Sequence, residues 1–332
     1  MSEEMNQYDK PFKTYEQLLL ELLESRNFII DDKTFAIGVL KNISYYTLIN
    51  GYYHIFDTEP GSDVLKTPVS FNNLYALHII DSNFSNILFK YILAVERSLK
   101  SNISYIVSKS YGVYTDLSDL SCRNPDDYLC RDHYSRSTNI RNGILSQIKK
   151  ELNNRPNPIT RHYKSEKNHI PPWIITYNLP FGLSIKWYSI LIEDDKTYIC
   201  DQLLPIDSIS LEHRKELLAK SLSLLKEYRN SMAHGNRLFV SNINTEIPKN
   251  LILTLFPTLT NSEEYDSGIS KNGAYTLILL FSILLNEHYM IENMLQDLHT
   301  LFSPYRNTTI SGKTIFEIFN LPNDLLERLQ IQ

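Results

Sequence analysis

The sequence predicts a helical protein, and two features carry that prediction. Glycine (10) and proline (14) are sparse among 332 residues, so few positions break a helix. Long segments also place apolar residues at steps of three and four, the period of a half-buried helix. The length suits one large domain or two ordinary ones, with ample residues for a core.

Taken in order, TYEQLLLELLESRNF (14–28) reads as an amphipathic helix capped by Thr14, with Gln17 three residues on as its capping-box partner. Residues 31–56 read as a second helix with an aromatic tail, and 57–68 as a loop. The strongest pattern covers 82–112, where Phe84, Leu88, Tyr91, Ile92, Val95, Leu99, Ile103 and Ile106 form one stripe that Gly112 ends. Residues 113–136 are polar and irregular, and a helix follows near 137–151. Four prolines predict a loose segment over 154–173. Further helices are expected over 181–195, over 210–235 with Ser210 as N-cap, and over 272–298. A loop-rich excursion is expected over 241–270 and a short piece over 311–330.

Bulk composition narrows the function classes. The net charge of −5 gives no overall attraction for nucleic acid, so any such site is a local patch. One exists: residues 131–167 hold nine cations (Arg131, Arg136, Arg141, Lys149, Lys150, Arg155, Arg161, Lys164 and Lys167) against three carboxylates. Tyr134, His162 and Tyr163 lie among them, and basic groups mixed with aromatics can hold phosphates and stack bases. The same composition also fits a solvated basic loop. Three cysteines without a CxxC indicate neither a disulfide framework nor a zinc ribbon, and Cys130 with His133 reads as a structural pair. The first ten residues are polar and acidic, unlike a signal peptide. The most apolar run, 275–285, is too short for a bilayer, which takes about 20 residues. A cytoplasmic protein with no membrane partner, metal or cofactor is expected.

The stretch KEYRNSMAHGNRLF (226–239) concentrates the chemistry. The stripe of its helix runs Leu211, Leu218, Leu222, Leu225 and Met232, and Arg229 falls on it, where an arginine is costly without a partner or a cleft. Asn230 and His234 are a helical turn apart on one face, so the amide can orient the imidazole. Arg229 and His234 diverge by about 140° on an ideal helix, so the last turn must distort, or the guanidinium must swing, for both to meet one phosphate. Gly235 supports such a terminating turn, and the helix dipole favours a protonated imidazole there. These parts suit metal-free RNA cleavage. The 2′-OH attacks the adjacent phosphorus, a histidine moves the proton and an arginine holds the phosphoryl oxygens, giving a 2′,3′-cyclic phosphate and a 5′-hydroxyl. On spacing alone the stretch also fits a structural helix end. Arg155 and His162 match the same loose pattern, but Pro156 and Pro158 argue against a helix there.

YRNSMAHGNRLF resembles the Arg-Asn-x-x-Ala-His core of the HEPN superfamily of helical nucleic-acid-binding and ribonuclease domains. More narrowly, the chain is similar to the abortive-infection (Abi) D/F-like family of bacterial phage-defence proteins. The likeness runs through residues 10–32, 40–56, 74–112, 171–182 and 229–239. It implies an all-α HEPN-type helical bundle over 67–332, with inserted loops, and an N-terminal helical extension over 1–66. It also implies RNA as the target, whether cellular, phage or a bound structured small RNA. Arg229, Asn230 and His234 match the core as catalytic residues. Glu96 matches a recurrent glutamate on the preceding long helix, as a partner for Arg229 or as an ordinary bundle ion pair. Arg237 matches with an RNA-binding or structural role, and Arg141, Lys149, Lys150, Arg155 and Arg161 are expected to bind RNA. Two positions depart from the family pattern: Ser82-Asn83-Phe84 replaces a common Leu-Arg pair, and Tyr177 stands where an acidic residue is common.

The expected function is therefore phage defence by a metal-independent endoribonuclease. A non-catalytic RNA-binding scaffold and the toxin of a toxin–antitoxin pair, restrained by a neighbouring antitoxin or regulator, are the alternatives. The chain has one credible Arg-x(4)-His helix, while phosphoryl transfer has an attacking and a leaving oxygen to serve. Two copies on a two-fold axis would supply two histidines, so a homodimer joined at the end of the 210–235 helix is expected.

Overall fold

A computed structural model describes residues 11–136, 140–238 and 243–330. The fold is all-α. Strands among the described residues are two-residue pairs: β1 (Phe28–Ile29) runs parallel to β2 (Val69–Ser70), and β3 (Thr309–Ile310) antiparallel to β4 (Lys313–Thr314). No described helix is long and apolar enough to cross a membrane. The chain forms two compact units, Met1–Ser85 with Leu301–Phe319 and Asn86–Thr300 with Asn320–Gln332.

In the smaller unit, α1 (Tyr15–Ser25) opens with the full Thr14–Gln17 capping box and buries Leu19 and Leu22. The single helix expected over 31–56 is instead broken. α2 (Lys33–Asn42) ends where Ile43 turns extended. The Ser44 hydroxyl then caps the Thr47 N–H, starting a separate π turn over Tyr46–Asn50. Serine competes with the helix ladder by this local bond, which an apolar-period count does not register. α3 (Phe71–Tyr111) starts well before the expected residue 82, because Phe71, Leu74, Leu77 and Ile80 extend the buried stripe towards the N-terminus. Phe84 meets Phe302 edge-on at 5.0 Å and Phe319 at 6.0 Å, giving this unit an aromatic core. Its C-terminal stretch is a β3–β4 hairpin turned at Ser311 and Gly312, both at positive φ, followed by α14 (Ile315–Ile318).

The larger unit holds the rest of α3, whose predicted stripe residues are all buried down to Ile106, and Gly112 at φ +81° ends that helix. α4 (Arg141–Asn154) matches the helix expected near 137–151, although residues 137–139 lie outside the described residues. The loose segment expected over 154–173 contains instead α5 (Pro158–Glu166) and the start of α6 (Pro172–Asn178). Both prolines sit in the first turn, where a missing N–H costs nothing, and Asn157 caps α5 through the Thr160 N–H at 2.7 Å. Pro158 thus opens the helix that it was expected to exclude.

α7 (Phe181–Ile190) stops earlier than expected, and extended residues at Leu191 and Ile192 lead into α8 (Glu193–Leu203). Glu193, Asp194 and Asp195 suit a helix start, where the dipole is positive, better than a helix end. α9 (Leu211–Ala233) packs on α7 and α8. The excursion after it includes α10 (Lys249–Leu255) and α11 (Ser262–Asp266). The helix expected over 272–298 is two, α12 (Ala274–Leu284) and α13 (His288–Phe302), separated where Leu285 turns extended and the Asn286 amide donates to the Gln202 carbonyl. The apolar run 275–285 is buried core except at Ser282 and Ile283, which are half-buried. α15 (Leu325–Arg328) follows at the C-terminus, with Arg328 paired to Glu264 at 2.6 Å. A buried chain of hydrogen bonds fixes the interior: Trp187 donates to Tyr134 (3.0 Å), Tyr134 to the Tyr128 carbonyl (2.8 Å), and Tyr128 to the Ile170 carbonyl (2.7 Å). Cys122, Cys130 and Cys200 are buried free thiols, and the His133 ring stacks on Tyr111 at 4.6 Å.

Candidate functional site

The end of α9 is built by local sequence. Ser210 caps the start by accepting from the His213 N–H, and Leu217, Leu218, Leu222, Leu224, Leu225 and Tyr228 bury one side. Leu211, expected on that stripe, is 38% exposed. At the other end His234 is the C-cap with φ −90° and ψ 6°, and Gly235 adopts φ +69°. The Gly235 N–H bonds the Met232 carbonyl and the Asn236 N–H bonds the Ser231 carbonyl, which is the Schellman arrangement. The helix therefore ends at His234 in an ordinary glycine-terminated C-cap, and the bend redirects the chain that follows.

Tertiary bonds hold this helix end in place. The Tyr228 hydroxyl donates to the Asn272 carbonyl at 2.8 Å. The Glu227 carboxylate, overlooked in the sequence, accepts from the Asn244 N–H (2.8 Å), the Thr245 N–H (3.2 Å) and the Thr245 hydroxyl (2.5 Å). Burial raises the Glu227 pKa, but these hydrogen bonds outweigh it and hold the carboxyl below its usual range. The chain after the motif is thus pinned back against α9.

Arg229 is half-buried, with a third of its side chain exposed, and its Nε lies 4.0 Å from Glu96 Oε2. Glu96 is nine-tenths buried on α3. Its other oxygen, Oε1, accepts a 2.6 Å hydrogen bond from Lys100. Lys100 is thus the closer partner, and the i, i+4 order of glutamate before lysine is the signal that could have found it. Both Glu96 Oε2 and Arg229 Nε are buried without a hydrogen-bond partner. The pair is close enough to attract and too far apart to satisfy either atom. Asn230 and His234 are exposed. They are joined through the backbone, His234 N–H to Asn230 carbonyl at 3.2 Å. Among the described residues no bond links their side chains. Arg237 lies half-buried two residues past Gly235.

The basic segment divides. Lys149 is fully buried, and its ammonium bonds Asp127 Oδ2 (2.6 Å) and the carbonyls of Asp116 (2.8 Å) and Asp119 (2.9 Å). The expectation that Lys149 binds RNA is corrected: three donors are met by three oxygens in the interior, out of reach of a phosphate. Tyr134 is equally buried and offers no stacking face. Arg141 is half-buried and donates to the Tyr134 carbonyl at 3.1 Å. Lys150 on α4, Arg155 at its end, and Arg161, Lys164 and Lys167 around α5 remain exposed. Arg161 and Lys164 spend one bond each on the Pro156 carbonyl and the Asn153 side chain.

A comparison with known proteins bears on this geometry. The sequence model of a family described as "Abi-like protein" matches residues 38–240, more than half the chain, a span that takes in Glu96, the exposed cations of α4 and α5, and the whole end of α9. No curated protein and no solved structure matches.

Proposed function

The chain belongs to the Abi-like protein family, and on that premise we propose that it is a metal-independent endoribonuclease with a HEPN-type site. Membership itself supports a role in abortive infection, a form of phage defence. One observation carries the finer reading: a guanidinium, incompletely partnered by a buried carboxylate, lies five residues before an exposed imidazole at the end of one helix.

In this reading the RNA 2′-oxygen bonds to the adjacent phosphorus as the bond to the 5′-oxygen breaks. His234 takes the proton from the nucleophile or delivers one to the leaving oxygen. Arg229 donates to the phosphoryl oxygens, its Nε–H not being committed elsewhere. The exposed cations of α4 and α5 hold the flanking backbone. One imidazole serves one of the two oxygens, and a second copy across a two-fold axis supplies the other, with the interface at the end of α9. The setting is the cytoplasm, where RNA is the substrate.

The test is His234→Ala with purified protein, RNA and EDTA. Wild type is expected to leave 2′,3′-cyclic phosphate ends without a divalent ion, and the variant to cut about 10²–10⁴-fold more slowly. A folded, fully protective His234→Ala protein would remove the nuclease reading. The absence of a side-chain partner orienting His234, among the described residues, favours the second reading, an RNA-binding scaffold, and that result would select it. Light scattering, and mixing Arg229→Ala with His234→Ala chains, test the composite dimer.

A further inference from the structure

Glu96 has a second setting. With Leu93, Arg97 and Lys100 on α3 and Trp173 and Tyr177 on α6 it lines a cavity of about 450 Å³, within the roughly 300–1,000 Å³ of small-ligand sites. Trp173 and Tyr177 are four apart on α6, so they share a face, and they are 46% and 75% exposed. Exposed aromatic rings beside a nine-tenths-buried carboxylate with an unused acceptor, Oε2, are an unusual pairing. The rings supply flat apolar faces, Arg97 is an exposed cation at the rim, and Glu96 supplies an acceptor-only group.

We infer that this cavity selects a guanine base of single-stranded RNA. The base stacks on Trp173 and Tyr177, its N1–H and N2–H donate to the Glu96 carboxylate, and Arg97 meets the backbone phosphate. The inference rests on RNA being the ligand, as proposed above, and adds which base is chosen. Guanine alone presents two adjacent donors on its Watson–Crick edge. Adenine and cytosine set an acceptor beside their amino group, and uracil flanks its one N–H with two carbonyls, so each turns a lone pair towards the carboxylate. Oε2 is enclosed, so the base is reached by rotation of the whole carboxylate about glutamate's soft terminal torsion, with the flexible Lys100 ammonium following Oε1. Because Arg229 Nε stands 4.0 Å from the same carboxylate, cleavage is expected beside the selected guanine.

The protein has two tryptophans, and Trp187 is fully buried, so emission changes on binding report Trp173. Labelled pentamers UUGUU, UUAUU, UUIUU (inosine lacks the N2 amine) and UUGUU with 7-deazaguanine are titrated by anisotropy and tryptophan emission. UUGUU and its 7-deaza form are expected to quench Trp173 and to bind roughly ten-fold or more tighter than UUAUU and UUIUU, as loss of a hydrogen bond to a charged group requires. Glu96→Gln is expected to bring the guanine-to-adenine ratio close to one. Trp173→Ala should weaken every pentamer, and Trp173→Phe should restore affinity. Equal affinities, or a preference that inosine keeps and 7-deazaguanine loses, overturn the inference. If Glu96→Gln does not fold, the inosine comparison on the wild-type chain decides alone. Guanosine monophosphate that binds where no pentamer does removes RNA as the source of the base. Selective binding without cleavage leaves the inference and removes the nuclease reading; cleavage indifferent to guanine does the reverse.

Discussion

Two charged pairs in the larger unit have opposite designs. Lys149 and Asp127 are both fully buried 2.6 Å apart, and every lysine donor has an oxygen. Arg229 and Glu96 stand 4.0 Å apart, one of them a third exposed, with an unsatisfied atom on each side. The first pair is closed. Its hydrogen bonds tie α4 to the irregular segment 113–136, and no capacity remains for a ligand. The second keeps donor and acceptor capacity that nothing within the described fold uses, as a ligand site requires.

The largest effect is expected at Lys149. Lys149→Met leaves Asp127 buried without its cation, so stability should fall by about 3–5 kcal/mol, read from the urea midpoint. A loss under 1 kcal/mol would mean that the pair is not closed in solution. The matching change at the open pair should act on rate. Arg229→Ala should slow RNA cleavage about 10²–10³-fold, roughly 2.7–4 kcal/mol of transition-state stabilisation. Its urea midpoint should move far less than that of Lys149→Met.

Neutralising the exposed Lys150, Arg155, Arg161 and Lys164 together should flatten the salt dependence of RNA binding, each lost phosphate contact reducing the log–log slope by about 0.7. Stability should change by about 0.5 kcal/mol or less at each site. An unchanged slope would make that face a solvated surface.

The smallest effect is expected at Glu227→Gln. Hydrogen bonds depress the folded carboxyl pKa, so their stabilisation is fully present above the unfolded value and is lost as pH falls through the folded one. Wild type should exceed the variant by about 1 kcal/mol at neutral pH. The difference should shrink below about pH 4. A difference that stays constant between pH 7 and 3 would show that the carboxylate charge contributes nothing.

Local chemistry was legible in the sequence. Thr14 with Gln17, Ser210, Gly112 and Gly235 act within a few residues of themselves, so a cap or a stop reads directly from the chain. The α3 stripe was legible for the same reason, and the breaks at Ile43, Leu191 and Leu285 were not, because apolar period continues across them. Lys149 lies four residues after Leu145 and three before Leu152, inward by the rule that singled out Arg229, so its burial was open to the same reasoning. Its partners were not, since Asp116, Asp119 and Asp127 come from an irregular segment with no period.

By itself the sequence determined the helical class, the caps and the placing of Arg229, Asn230 and His234 at one helix end. The helical period could turn Lys149 inward and Lys150 outward, and only the tertiary structure decided what meets Lys149 there. Lys149 and Lys150 are neighbours of identical chemistry, but successive residues on a helix point about 100° apart. One turns into a ring of oxygens and the other into solvent, and that difference depends on what the distant chain brings to each side.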